Sequence, residues 1–250
     1  MKKYRASRRV IIAGALLLPM MVIAQEAERE SETLPPPGKP IATTGTVGYA
    51  PEYKAPREGF PVAGSGGSRG AEQSVVLWVL TPEDAGLTTQ EQPSLYWYTS
   101  QPTSYPIELI LIEVQAIEPI LRTRINSPSQ ASIQRIRLAD YGVRLKTGSL
   151  YRWFIAIVPD PARRSKDILA GGFIELVEAP AALRTRLAEA GPTRAAVVYA
   201  DEGIWYDALS SISDLIDAAP QDATLRAQRA ALLEQVQLQE AADFDRRAAR

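Results

Sequence analysis

Leu145-Lys146-Thr147-Gly148-Ser149-Leu150-Tyr151-Arg152-Trp153-Phe154-Ile155-Ala156-Ile157-Val158 reads as a turn feeding a buried β-strand. A Leu six residues ahead of a Tyr, with a Gly three ahead, predicts a corner where the chain crosses between two sheets and the Tyr151 hydroxyl bonds back to upstream backbone. Beyond the corner the residues alternate. Tyr151, Trp153, Ile155 and Ile157 share one face, and Arg152, Phe154 and Ala156 share the other, the period of a strand. Trp153 is assigned to the core face.

Six further strand candidates surround this one, at 74–80, 94–99, 107–115, 120–125, 133–138 and 172–177. Turn residues separate them, at Thr81-Pro82-Glu83-Asp84, Gln101-Pro102 and Asn126-Ser127-Pro128. Seven short strands with a sheet-crossing corner predict a mainly β, α+β protein: a fibronectin- or immunoglobulin-like antiparallel sandwich over 71–178. With no cysteine to supply an antibody-type disulfide, the fibronectin-like version fits better. The strands at 74–80 and 107–115 carry apolar residues on both faces and therefore need cover on both sides.

The region 179–250 can supply it. A short helix is expected at 181–190, ended by Gly191-Pro192. Trp205, Ala208, Leu209, Ile212, Leu215 and Ile216 then form an apolar helical stripe, Pro220 ends it, and Asp222 caps a second helix striped by Leu225, Leu232, Leu233 and Val236. The pair resembles a single tetratricopeptide-type unit, which cannot bury its own face, so a helical hairpin docked on the sandwich is expected.

Residues 25–70 read as a linker or arm, acidic from Glu26 to Glu32, stiff at Pro35-Pro36-Pro37 and glycine-rich at 64–70. The glycine cluster lacks the Lys-Ser/Thr ending of a phosphate loop. Ahead of it, Lys2, Lys3, Arg5, Arg8 and Arg9 precede an uncharged apolar run from Val10 to Ala24, which predicts a secretory signal peptide over 1–24, cleaved near Ala24. That run is shorter than the roughly 20 residues a spanning helix needs, so no integral span is expected after cleavage. The chain is accordingly expected in the periplasm or outside the cell.

Composition limits the chemistry. With no His and no Cys, the chain lacks thiol nucleophiles, histidine relays and most transition-metal ligand sets. The segment 1–24 carries five Lys/Arg and no Asp/Glu, so its removal leaves 23 basic against 29 acidic residues, a balance that repels nucleic acid. No catalytic residue, cofactor or metal site is predicted.

Several short motifs, taken together, resemble one bacterial family. They are Gly66-Gly67-Ser68-Arg69-Gly70, Leu80-Thr81-Pro82, Gly86-Leu87-Thr88, Pro93-Ser94-Leu95-Tyr96-Trp97-Tyr98, Leu150-Tyr151-Arg152-Trp153, Arg164-Ser165-Lys166-Asp167, Gly171-Gly172-Phe173-Ile174 and Gly203-Ile204-Trp205-Tyr206-Asp207-Ala208-Leu209. In this order they resemble the family known as domain of unknown function 928, across most of residues 55–240. The resemblance implies an exported domain without assigned activity and carries over no catalytic residue. The chain departs from the family pattern at Gln228-Arg229, where a tryptophan is expected.

Candidate binding residues remain few. Tyr96 and Tyr98 share a strand face opposite Leu95 and Trp97, and would stack on a sugar if exposed or lie beneath the helices. Arg163, Arg164 and Asp167 sit in the loop between the last two strands, a position where an acidic partner would meet cations. Glu108 and Glu113 have opposite parity on one strand, which argues against a glycosidase carboxylate pair. The sequence therefore points to a non-enzymatic envelope module that binds a protein, with glycan binding or cleavage as the rival reading.

Overall fold

The structure, a computed structural model, describes residues 39–41, 48–56, 68–69 and 75–249. The signal peptide expected at 1–24 and most of the glycine cluster lie outside the described residues. The strands are β1 (Lys39–Ile41), β2 (Gly48–Ala50), β3 (Ser68–Arg69), β4 (Val76–Val79), β5 (Gly86–Thr88), β6 (Ser94–Thr99), β7 (Ile107–Glu113), β8 (Leu121–Ile125), β9 (Ser132–Arg137), β10 (Leu150–Ile157) and β11 (Ile168–Leu176). Apart from the β1–β2 ribbon they form two sheets, ordered β3-β4-β6-β9 and β5-β11-β10-β7-β8. Pairing is antiparallel except between β11 and β5, where Ile174 lies beside Gly86 and Leu176 beside Thr88. The expected all-antiparallel arrangement is corrected at that one pair.

The decisive strand is central. β10 lies between β7 and β11, with Trp153 opposite Leu111 on one side and Gly172 on the other. Tyr151, Trp153, Ile155 and Ile157 are buried, and join Leu77, Val79, Leu95, Trp97, Leu109 and Leu111 of both sheets in one core. At the corner the Tyr151 hydroxyl accepts a hydrogen bond from the Lys146 backbone N–H at 3.1 Å, tying the turn to the strand it launches. This side-chain bond fixes the crossing angle at the start of β10.

Five helices follow: α1 (Ala181–Ala190), α3 (Trp205–Ala218) and α4 (Ala223–Glu234) where a short helix and a hairpin were expected, with α2 (Ala195–Asp201) and α5 (Gln239–Ala248) in addition. Asp222 caps α4 by accepting from the N–H groups of Thr224 and Leu225. Where a tryptophan was expected, Arg229 is buried and forks onto Asp245 of α5 at 2.6 and 2.7 Å, also donating to Ser213 of α3 at 3.1 Å. A bidentate ion pair thus does the space-filling and joining of a large aromatic, binding three helices at one point.

The helices lie over the outer face of the four-stranded sheet and meet the five-stranded sheet at its β5 edge. Tyr98 of β6 meets Phe244 of α5 at 5.8 Å between ring centres, and Arg135 of β9 pairs with Asp214 of α3 at 2.7 Å. The outer face of the four-stranded sheet is therefore closed, as the double-faced apolar pattern at 74–80 requires. The matching expectation for 107–115 fails: Ile110 and Ile112 point away from the core, and among the described residues no helix lies over them. The reason is connectivity, because α3 is pinned at the far edge of that sheet, beside β5.

Part of the 25–70 stretch lies against the helices. Tyr53 stacks edge-on against Trp205 at 5.0 Å, its N–H donates to Gln235 Oε1 at 2.8 Å, and the Lys54 N–H donates to the Ala200 carbonyl at 3.0 Å. Gly203 allows this approach: its φ is +73°, and a Cβ there would sit 2.6 Å from the Lys54 carbonyl oxygen.

Candidate functional site

Tyr206, at the start of α3, is the hub of the junction between helices and sheets. Its hydroxyl accepts from Trp153 Nε1 at 2.8 Å and donates to the Phe173 carbonyl at 2.9 Å, with Thr81 Oγ1 at 3.2 Å. Burial pushes this phenol well above the ordinary tyrosine range, so it stays protonated and serves as a structural donor. Beside it, Trp205 Nε1 donates to the Leu80 carbonyl at 2.9 Å. The ring of Tyr206 rests on Gly86, where a Cβ would come within 2.7 Å of it, and Thr81 rests on Gly172 in the same way.

The next residue opens a cleft. Asp207 is 4% exposed, and accepts from the Thr89 N–H and the Thr89 hydroxyl at 3.0 Å each. Burial raises its pKa, against hydrogen bonds from Thr88, Thr89 and Gln90 that favour the carboxylate. Above it lies a cavity of about 310 Å³ between the segment from Thr88 to Ser94 and the first turns of α3, bordered by Tyr199 of α2. Among the described residues no group of three or more His, Cys, Asp or Glu is arranged to hold a metal ion.

The residues anticipated from sequence lie elsewhere. Tyr96 and Tyr98 are 2% and 3% exposed, beneath α3 and α5 with Arg135 over the Tyr96 ring at 5.3 Å. No stacking face is open: of the two alternatives the tyrosines take the place beneath the helices, which cover their shared face. In the β10–β11 loop, Arg163 pairs with Asp160 at 2.5 Å and Arg164 with Asp167 at 2.7 Å. Arg164 also forks onto Glu108 at 2.8 and 3.2 Å, and this hydrogen bonding holds Glu108 below the usual carboxylate range. Arg163 and Arg164 are thus spent on carboxylates of the same chain, and the loop brings neither of them to the tyrosines. Glu113 instead accepts from the Ser149 hydroxyl at 2.9 Å.

A second surface feature was not anticipated. On the outer face of the five-stranded sheet, Ile110, Ile112, Phe154 and Leu169 line an apolar groove of about 280 Å³ with Ile117 and Pro119. Ile117 is 94% exposed, and Val114, Ile120 and Leu169 are between 44% and 48% exposed. Arg152 lies over the Phe154 ring at 4.4 Å, while Arg122 and Arg124 stand on β8, opposite Ile110 and Glu108.

Comparison with known proteins gives a family. A match to the family described as Domain of Unknown Function (DUF928) extends over residues 64–245. The chain belongs to the DUF928 family. No curated protein matches it. A multi-domain immunophilin from Arabidopsis thaliana aligns at 10% identity over 78% of this chain and 99% of its own, but the TM-score of 0.19 carries no argument about fold.

The DUF928 motifs converge in space. Leu80-Thr81-Pro82, Gly86-Leu87-Thr88, Tyr151-Arg152-Trp153, Gly171-Gly172-Phe173 and Trp205-Tyr206-Asp207 are far apart in the chain, yet each contributes an atom to the hub or its immediate packing. Small residues provide the close approach and the aromatics provide the bonds. Five of the eight motifs thus supply what joins sheets to helices.

Proposed function

We propose that this DUF928 chain is an exported, non-enzymatic interaction module of the cell envelope, built on an immunoglobulin- or fibronectin-like sandwich. The order β3-β4-β6-β9 against β5-β11-β10-β7-β8, with the chain crossing sheets at the Tyr151 corner, supports the fold reading. The lack of His and Cys, and the pairing of Glu108 with Arg164, support a binding role over a hydrolytic one.

One observation carries the site: the open apolar face of Ile110, Ile112, Phe154 and Leu169, which ends in the edge strand β8. Exposed apolar groups beside an unpaired strand edge suit a partner that adds a strand and fills the groove. Arg122 and Arg124 are exposed beside Glu108, whose carboxylate is forked onto Arg164 instead. Pairing β8 with the β8 of a second copy would set these arginines against each other, so an extended acidic segment of another envelope protein is the better occupant.

The test is a charge swap on the full chain, read by titration with two synthetic peptides, one alternating Glu with Val and one alternating Lys with Val. The Glu peptide should bind the natural chain, and the paired change Arg122→Glu and Arg124→Glu should reverse the preference. Equal binding of both peptides, or an unchanged preference after the swap, refutes this reading.

A further inference from the structure

The cleft above Asp207 has a lining that selects a ligand chemistry. One wall supplies Thr88, Gln90 and Ser94, the other Ser210 and Ser211 of α3, and Tyr199 borders the opening. The hydroxyls of Ser94, Ser210 and Ser211 hold no hydrogen-bond partner among the described residues. Neither Lys nor Arg lines the space. Both carboxylates at its border are already compensated, Asp207 by the two Thr89 donors and Asp214 by Arg135 at 2.7 Å.

Each alternative ligand class meets an obstacle here. An anion would face Asp207 and Asp214 with no cation to receive it. A cation would have to compete with Arg135 for Asp214 and with Thr89 for Asp207. An apolar molecule would strand the hydroxyls of Ser94, Ser210 and Ser211 without partners. What the walls offer is a set of neutral groups that both donate and accept, beside one half-buried aromatic ring whose apolar surface suits the C–H side of a sugar. The cavity of about 310 Å³ stands at the lower end of the range for small-molecule pockets, roughly 300–1,000 Å³.

We propose that this cleft binds a neutral polyhydroxylated molecule of monosaccharide size, with Gln90, Ser210 and Ser211 as hydrogen-bonding residues and Tyr199 as the apolar platform. The site lies at the hub between sheets and helices, away from the open face of the five-stranded sheet, so either assignment can fail while the other stands.

The experiment is saturation-transfer NMR on the full chain with four probes: glucose, myo-inositol, putrescine and methyl phosphate, whose methyl protons report on the phosphate. Glucose or inositol should receive saturation, and putrescine and methyl phosphate should not. Ser211→Trp should remove the signal by filling the cleft. Gln90→Ala trims an exposed loop side chain, circular dichroism checks that the fold is unchanged, and it should weaken sugar binding about tenfold, the effect of losing about 1.4 kcal/mol. Transfer to none of the probes, preference for putrescine or methyl phosphate, or a sugar signal that survives both substitutions would overturn the proposal.

Discussion

Tyr206→Phe removes a single oxygen atom from the middle of the molecule, and its cost can be worked from the bonds that oxygen makes. In the natural chain the hydroxyl receives the Trp153 indole N–H at 2.8 Å and gives its proton to the Phe173 carbonyl at 2.9 Å. Trp153 is 0% and Phe173 4% exposed, so neither group can turn to water when the oxygen is gone. A buried polar group left without its partner costs about 1–3 kcal/mol. With two such groups the loss should be about 2–6 kcal/mol, a large fraction of the total stability of a typical domain. The assay is equilibrium urea unfolding, followed at once by tryptophan fluorescence for the sheets and circular dichroism for the helices. Both probes should shift together, because the bond joins α3 to β10 and β11. A loss below about 0.5 kcal/mol, or two transitions that separate, would refute the idea that this hydroxyl joins the two parts into one cooperative unit.

Trp153→Ala should cost about 3–5 kcal/mol in the same melts, since the ring is wholly buried between the sheets; a loss below about 1 kcal/mol would reverse the face assignment of β10. Truncation after Tyr199 should uncover Tyr96, Tyr98 and the Leu80–Thr81 edge, giving a fragment that aggregates or binds hydrophobic dye; a soluble monomer with an unchanged melting midpoint would make the helices a separate arm. Asp207 has a folded-state pKa raised by burial above its ordinary 3.8, so its contribution to stability is complete below that value and is lost as pH rises through the raised one. Asp207→Asn keeps the geometry, accepting the Thr89 N–H and donating to the Thr89 hydroxyl, and should flatten that part of the stability profile; an unchanged slope would assign the pH dependence elsewhere.

The strands that the sequence revealed are those whose alternate residues lie between two layers, as in β10, where Trp153, Ile155 and Ile157 point to the core. β5 escaped notice because it is three residues long, begins with Gly86 and, among the described residues, pairs with β11 alone. The helix α2 reads Ala195-Ala196-Val197-Val198-Tyr199, β-branched residues that suit a strand equally well, and tertiary packing of Val197 and Val198 decides the matter. For α5 the misleading residue is Asp245, a charge that belongs to the interior only because Arg229 meets it there. Parity showed that Tyr96 and Tyr98 share a face, while what covers that face depends on Phe244 and α3, distant in sequence. The cleft has no local signal at all, since its two walls come from residues 88–94 and 199–214.

The parallel contact between β5 and β11 also sets an order of assembly. A chain emerging from its N-terminus has β5 in hand long before β11 exists, and β7 must likewise wait for β10. The Gly86 seat stays empty until Tyr206 follows. Closure across such long loops is entropically expensive and belongs to the slow end of domain folding, in the range of about milliseconds to seconds. The early half can therefore remain extended while synthesis continues, and a chain in that condition can be threaded through a narrow channel before the last strand and helix α3 lock it shut.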